Sequence, residues 1–246
     1  MEHGRAQTQE PQKEILDLAE KGGARQGVRQ SLDRRLFMQL LAFTGCRDSA
    51  PLVEALKASG LAAVLYADVN DPRGGAVLAM DEDPGLFAGR WRELLARAPF
   101  DALAFRAEST MLGRTYSLGY EPDLEDWLIR RPRRVVLDAA QPWAIWYPLR
   151  RTGAFAKLPH EEQMQVLKEH GNIGRAFGDA GHAQDIRLAC FGLDARDNDF
   201  VIGLVGPKLS PLSAVVQSMR KTRQTSEFIQ SMGPFFVGKA LWQSPV

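Results

Sequence analysis

Residues 36–43, LFMQLLAF, followed by SAPLVEALKASG (49–60), AAVLYADV (62–69), the turn NDPRGG (70–75) and GAVLAM (75–80), decide the fold. LFMQLLAF and AAVLYADV are short apolar runs of strand length. SAPLVEALKASG has a serine N-cap region, helical apolar spacing and a closing glycine. NDPRGG supplies hairpin chemistry for the returning strand GAVLAM. DPGLFAGRWRELLARAPF (83–100) then reads as an amphipathic helix and ALAFRAESTMLGR (102–114) as a final strand. The order is βαββαβ, that of a ferredoxin-like unit.

The same order returns downstream. AIWYPLRR (144–151) is a strand, LPHEEQMQVLKEHGNIGRAF (158–177) a helix and DIRLACFGL (185–193) a strand. DFVIGLVG (199–206), the helix SPLSAVVQSMRKTRQTSEFIQ (210–230) and the strand PFFVGKALWQ (234–243) complete the set. The expected fold class is α+β: a duplicated ferredoxin-like βαββαβ chain whose two sheets meet as a dimeric α+β barrel within one chain, with helices outside. The boundaries read as a flexible N-terminal tail (1–30), in which ILDLAEK could form a short helix, an N-terminal half (31–118), a linker (119–143) and a C-terminal half (144–246). The linker, YEPDLEDWLIRRPRRVVLDAAQPW from Tyr120 on, is rich in charge and proline, with one helical turn expected at LEDWLI. Its RRPRR run reads as a solvated strip among neighbouring acids.

With 31 basic and 30 acidic residues the net charge is +1, so no global field would gather nucleic acid or anionic lipid. LFMQLLAF is too short to span a bilayer, and the first 27 residues lack the apolar core of a signal peptide. A cytoplasmic protein is expected. Cys46 and Cys190, far apart in apolar contexts, read as two buried reduced thiols.

The histidines are His3, His160, His170 and His182. Their spacing excludes HExxH and zinc-knuckle patterns, and CxxCH, GxGxxG, Walker A and GxSxG are all missing from suitable contexts. His170 follows Leu167 by three positions and Met164 by six, at the edge of the helix face turned to the sheet. That makes it a candidate ligand, although a histidine near a helix C-terminus also suits the negative end of the helix dipole.

YPLRR (147–151), KEHGNIGRAF (168–177), FGLDARDNDFVIGLV (191–205), MRKTRQT (219–225) and PFFVG (234–238) stand in the order of the chlorite dismutase family, and the chain most resembles its coproheme decarboxylase branch. The resemblance covers the second half in words and the first in layout. It implies that His170 is the proximal haem ligand, held through its other ring nitrogen by a carboxylate or carbonyl from the barrel strands. It implies haem b or iron coproporphyrin as the cofactor, with Leu149 in the binding segment and hydrogen peroxide as co-substrate. Tyr147 would form the radical that attacks a propionate; the alternative is a tyrosine merely packed at a barrel mouth. Arg150 and Arg220 fall where relatives place propionate-binding cations, while Arg151 and Lys221 read first as solvated.

On the distal side, relatives carry Gln or Arg about seven residues before the GLD turn. Here that count reaches Asp185, flanked by Gln184 and Arg187, and about two extra residues around GDAGHAQ blur the register. Strand alternation places Asp185 and Arg187 on one face and Gln184 on the other. An arginine facing iron would favour a haem peroxidase or chlorite-dismutating activity, and a non-catalytic porphyrin carrier is the alternative from another class. The family's habit of forming rings implies a homo-oligomer, a pentamer by that habit.

Overall fold

The computed structural model describes residues 16–245; His3 and the start of ILDLAEK lie outside them. The strands are β1 (Glu20–Arg25), β2 (Val28–Leu32), β3 (Phe37–Thr44), β4 (Ala63–Asp68), β5 (Gly75–Asp81), β6 (Ala104–Phe105), β7 (Met111–Thr115), β8 (Trp143–Arg151), β9 (Gln184–Ala189), β10 (Phe200–Gly206), β11 (Ile229–Met232) and β12 (Phe236–Gln243). The helices are α1 (Ala50–Ser59), α2 (Gly85–Ala88), α3 (Arg90–Leu95), α4 (Arg131–Val136), α5 (Gly153–Ala156), α6 (His160–Asp179), α7 (Leu209–Met219) and α8 (Arg223–Phe228).

Each half carries the ferredoxin-like strand order. It runs β7-β3-β5-β4 in the first half and β12-β8-β10-β9 in the second. The halves join twice, through β4 with β12 and β7 with β9, and β8 pairs back with β10, so eight strands close into a barrel. Every pairing around the ring is antiparallel. The α+β duplicated barrel is therefore the fold.

Alternation along the strands sorts side chains into two sets. Met38, Leu40, Val64, Tyr66, Leu78, Met80, Trp146, Ile186, Leu188, Val201, Val205 and Phe236 fill the interior. On the outer face of the first half, Phe43, Leu65, Val77 and Ala79 pack against Leu52, Leu56, Trp91 and Phe100. On the outer face of the second half, Ile145, Tyr147, Leu149 and Leu204 meet Leu212 and Val215.

Several boundaries differ from the sequence reading. The expected tail contains the β1–β2 hairpin, whose turn at Gln26 and Gly27 takes positive φ (52° and 80°), and ILDLAEK yields strand rather than helix from Glu20. The linker is not a loop with one turn: a π-helical turn at Asp126–Arg130 runs straight into α4. Pro132 follows the π turn almost at once, and its missing N–H takes one donor out of the helical ladder. RRPRR is thus helical. The helix expected over 83–100 breaks at Gly89 into α2 and α3. The strand expected over 102–114 is interrupted at Ala107–Ser109, where Arg106 donates from its backbone to the Ala42 carbonyl and pairs with Asp68 at 2.7 Å. The helix over 210–230 divides at Thr222, which caps α8 by accepting from the Thr225 amide. Cys190 is buried and Cys46 only partly so, both unpaired; burial, with Asp194 and Asp199 nearby, pushes the Cys190 thiol up to about 12.

Trp146 occupies the barrel interior directly over Gly203, where an added Cβ would stand 2.5 Å from the indole ring. Gly203→Ala therefore overpacks a closed core. It is expected to lower the unfolding free energy by about 1–3 kcal/mol, read as a lower urea midpoint at unchanged slope.

Candidate active site

In the second half the space between the sheet and α6 is left open. Of the twenty residues of α6, Val166 alone is fully buried. The face turned to the sheet carries Gly171, Gly174 and Gly178 among Gln165, Lys168 and Arg175, and an added Cβ at Gly171 would meet nothing within 4 Å. Glycine in a helix interior costs about 1 kcal/mol relative to alanine, so these positions give up helix stability and leave room. The result is a cavity of about 750 Å³ bounded by α6, the outer face of β8, β10 and β9, the start of α8 and the segment Tyr116–Arg131. The equivalent space in the first half is filled by Trp91, Phe43 and Leu52.

His170 enters the cavity from α6. Its Nδ1 lies 3.2 Å from Thr222 Oγ1, and that hydroxyl donates its own proton to the Met219 carbonyl at 2.8 Å. The hydroxyl is then an acceptor, so Nδ1 carries the imidazole proton and Nε2 keeps a free lone pair. Burial, helped by the positive fields of Arg187 and Arg151 and opposed by Asp185, lowers the His170 pKa to about 4. The imidazole is neutral at pH 7. The partner is thus a threonine from the break between α7 and α8, not the acid or carbonyl expected from the strands. Glu169 is engaged elsewhere, accepting the Arg223 amide at 3.1 Å.

The sheet wall opposite is set by register. Tyr147 pairs with Ile202, which pairs with Arg187; Leu149 pairs with Phe200, and Leu204 with Asp185. Tyr147, Leu149, Arg151, Asp185 and Arg187 all line the cavity. Tyr147 is 5% exposed and stacks on Phe235 with ring centroids 4.6 Å apart. Burial, reinforced by Asp185, raises its pKa, so it is a neutral phenol across the physiological range. Gln184 sits at the edge, accepting from Arg131 and donating toward the Gly178 carbonyl at 3.4 Å.

The same alternation removes Arg150. It points away from the cavity and pairs with Asp197 on the surface. Arg151, read from sequence as solvated, takes its place: its guanidinium lies between the Phe155 and Phe200 rings (4.7 and 4.8 Å) with a buried Nε that has no hydrogen-bond partner among the described residues. Desolvation lowers its pKa, a sign of an enclosed cation. Arg220 is exposed at the end of α7, outside the lining, although Met219 beside it is inside.

Three residues of the wall were missed by sequence reading: Tyr116, Trp127 and Arg131. Arg131 and Arg187 stack on the Trp127 ring at 4.9 and 5.0 Å. Arg131 also bonds the Asp185 carbonyl (2.8 Å) and carboxylate (3.2 Å), and Asp185 Oδ2 stands 2.7 Å from Arg187 Nε. The latter is an ion pair rather than a well-directed hydrogen bond, since the buried Arg187 Nε finds no aligned acceptor. Burial would raise the Asp185 carboxyl, but Arg187 and Arg131 outweigh it and hold it ionised. The only signal in the sequence was an aromatic and an arginine spaced i, i+4 across a charged stretch that resembled linker.

Residues 129–241 match the sequence model of the chlorite dismutase family. Among solved structures, a haem-binding protein from Thermus thermophilus superposes with a TM-score of 0.63 at 20% identity, over 85% of this chain and 94% of that one. Chlorite dismutase from Candidatus Nitrospira defluvii, in complex with imidazole, superposes with a TM-score of 0.62 at 14% identity, over 87% and 92%. The likeness in sequence to the chlorite dismutase family is carried by the C-terminal half of the chain, and the likeness in fold extends over both halves. No helix among the described residues is long and apolar enough to cross a membrane.

Because His170 titrates near 4 in the folded chain and near 6.5 unfolded, the unfolded state binds more protons between those values. Stability from this group is complete above about pH 6.5 and declines as pH falls toward 4. In the porphyrin-free protein, the His170 ring resonance is expected to titrate near pH 4 by NMR. His170→Gln should flatten the acid limb of stability over the same window.

Proposed function

We propose that the cavity under α6 binds an iron porphyrin through His170 Nε2 and that the protein is a peroxide-dependent coproheme decarboxylase. The observation that supports it best is the neutral His170 imidazole, with Nδ1 engaged by Thr222 and Nε2 free, lining the same cavity as the buried phenol of Tyr147. The cavity falls within the range of about 300–1,000 Å³ usual for cofactor sites. No group of three or more His, Cys, Asp or Glu side chains converges among the described residues, so a metal here would bring its own ligand shell.

The donor set suits a polycarboxylate porphyrin. Arg131, Arg151, Lys168, Arg175 and Arg187 line the cavity, and the Nε of Arg151, without a hydrogen-bond partner among the described residues, is a buried donor that a carboxylate oxygen would satisfy. When bound, the porphyrin iron supplies two-electron chemistry with peroxide. Overall, one propionate and one proton with one peroxide give a vinyl group, carbon dioxide and two waters. Thr222 fixes the tautomer and angle of His170. Tyr147 gives up a hydrogen atom and recovers one from the propionate chain, its raised pKa keeping it protonated beforehand. Phe235 holds the ring against rotation, and Asp185 with Trp127 keeps Arg187 in place.

A second reading rests on Arg187, which shares the Tyr147 row of the sheet wall; a cation there would stabilise a leaving oxyanion, as a peroxidase or chlorite-dismutating enzyme requires. Assembly as a homo-oligomeric, pentameric ring is part of the proposal by family resemblance.

The deciding experiment adds iron coproporphyrin to the apoprotein, titrates peroxide and follows porphyrin mass. Stepwise loss of carboxyl groups to haem b supports the decarboxylase. Tight binding with peroxide or chlorite turnover but intact porphyrin transfers the assignment to the second reading. His170→Ala should shift the Soret band and weaken retention, and Tyr147→Phe should keep binding but stop mass loss. Thr222→Val should weaken porphyrin retention by about 10–100-fold, in the manner of lost outer-shell support to a ligating histidine.

A further inference from the structure

We propose that the N-terminal hairpin β1–β2, which lies outside the family match, is a strap that positions the cavity wall, and that Gln30 is its positioning residue. As far as it concerns porphyrin, this rests on the reading above.

The wall segment 116–127 is not held by the barrel ladder. It is held by the hairpin. Gln30 Nε2 lies within bonding distance of the carbonyls of Gly23 (3.0 Å), Glu121 (3.1 Å) and Pro122 (3.1 Å), and its Oε1 accepts the Leu124 amide at 3.1 Å. The Gly23 amide donates to the Glu121 carbonyl at 2.9 Å. At the other end Ser117 gives its amide and hydroxyl to Glu20, each at 3.0 Å, while Glu20 is gripped by Arg35 and Arg114. Contact is close enough that an added Cβ at Gly23 would stand 3.0 Å from the Tyr120 carbonyl and 3.1 Å from that of Glu121.

Within the segment, the Glu121 carboxylate is buried and gathers the amides of Leu118, Gly119 and Tyr120. The Trp127 indole donates to the Tyr116 carbonyl at 3.0 Å. Tyr116, Leu118, Tyr120 and Trp127 all line the cavity, and Trp127 carries Arg131 and Arg187. One side chain of the hairpin therefore connects to the stack that aims the sheet-wall cation, with no contact of its own to the cavity.

The test compares full-length wild type with Gln30→Ala, Trp127→Phe and the double variant, with Gly23→Ala as an independent way to push strap and wall apart. In the porphyrin-free proteins, amide exchange at 118–120 should rise in Gln30→Ala and Gly23→Ala while β8 and β10 keep wild-type protection. Unchanged exchange at 118–120 overturns the strap. Iron coproporphyrin affinity, read at the Soret band, should fall by about threefold to tenfold in Gln30→Ala, and the loss should largely vanish when Trp127 is already Phe. Strictly additive losses overturn the route through Trp127. A wild-type chain that binds no porphyrin overturns the haem reading instead, and the exchange measurement still decides the strap.

Discussion

Strand β8 is hydrogen-bonded on both sides, to β10 and to β12, and the side chains of Trp146 and Tyr147 must therefore go to opposite faces. That single register sets the rest. Trp146 turned inward fills the barrel against Gly203, and Tyr147 turned outward places Leu149 and Arg151 with it on the cavity wall. A slip of one residue would send Arg150 to the wall and Tyr147 to the core. Closure of the ring makes such a slip costly, since β8 cannot shift against β10 without also breaking its register with β12.

The cavity exists because two equivalent units were packed differently. Both carry helices over the outer face of a four-stranded sheet. In the first, Trp91 and Phe100 complete a dry core; in the second, the glycines and cations of α6 decline to fill the same volume. What enters instead is charge. Arg151 and Arg187 lie against aromatic rings, and among the described residues Asp185 alone forms an ion pair with Arg187. Such an arrangement is destabilising in isolation and acquires a purpose if an anionic ligand completes it.

The barrel was legible because its signals are periodic: apolar runs, helical spacing and turn chemistry occur twice in one order. So was His170 as a candidate. Arg151 was misread because its neighbours suggest a solvated basic pair, and only strand pairing tells which of Arg150 and Arg151 faces inward. Thr222 escaped notice because its role depends on a helix break between α7 and α8. Trp127 and Arg131 lay in a stretch whose proline and charge looked like linker, whereas the helix carries Pro132 just after a π turn. The hairpin at Glu20–Leu32 carries a polar surface on both faces, and its order comes from bonds to residues about ninety positions away.

Closing the sheet has one more effect. A ring of eight strands offers no open row of backbone donors and acceptors, so copies of this chain cannot join by extending the barrel sheet from one molecule to the next. Any ring or pair they form must be made through side chains on helices, loops or the outlying short strands. Its affinity would then depend on surface chemistry that can change from one relative to another without disturbing the barrel.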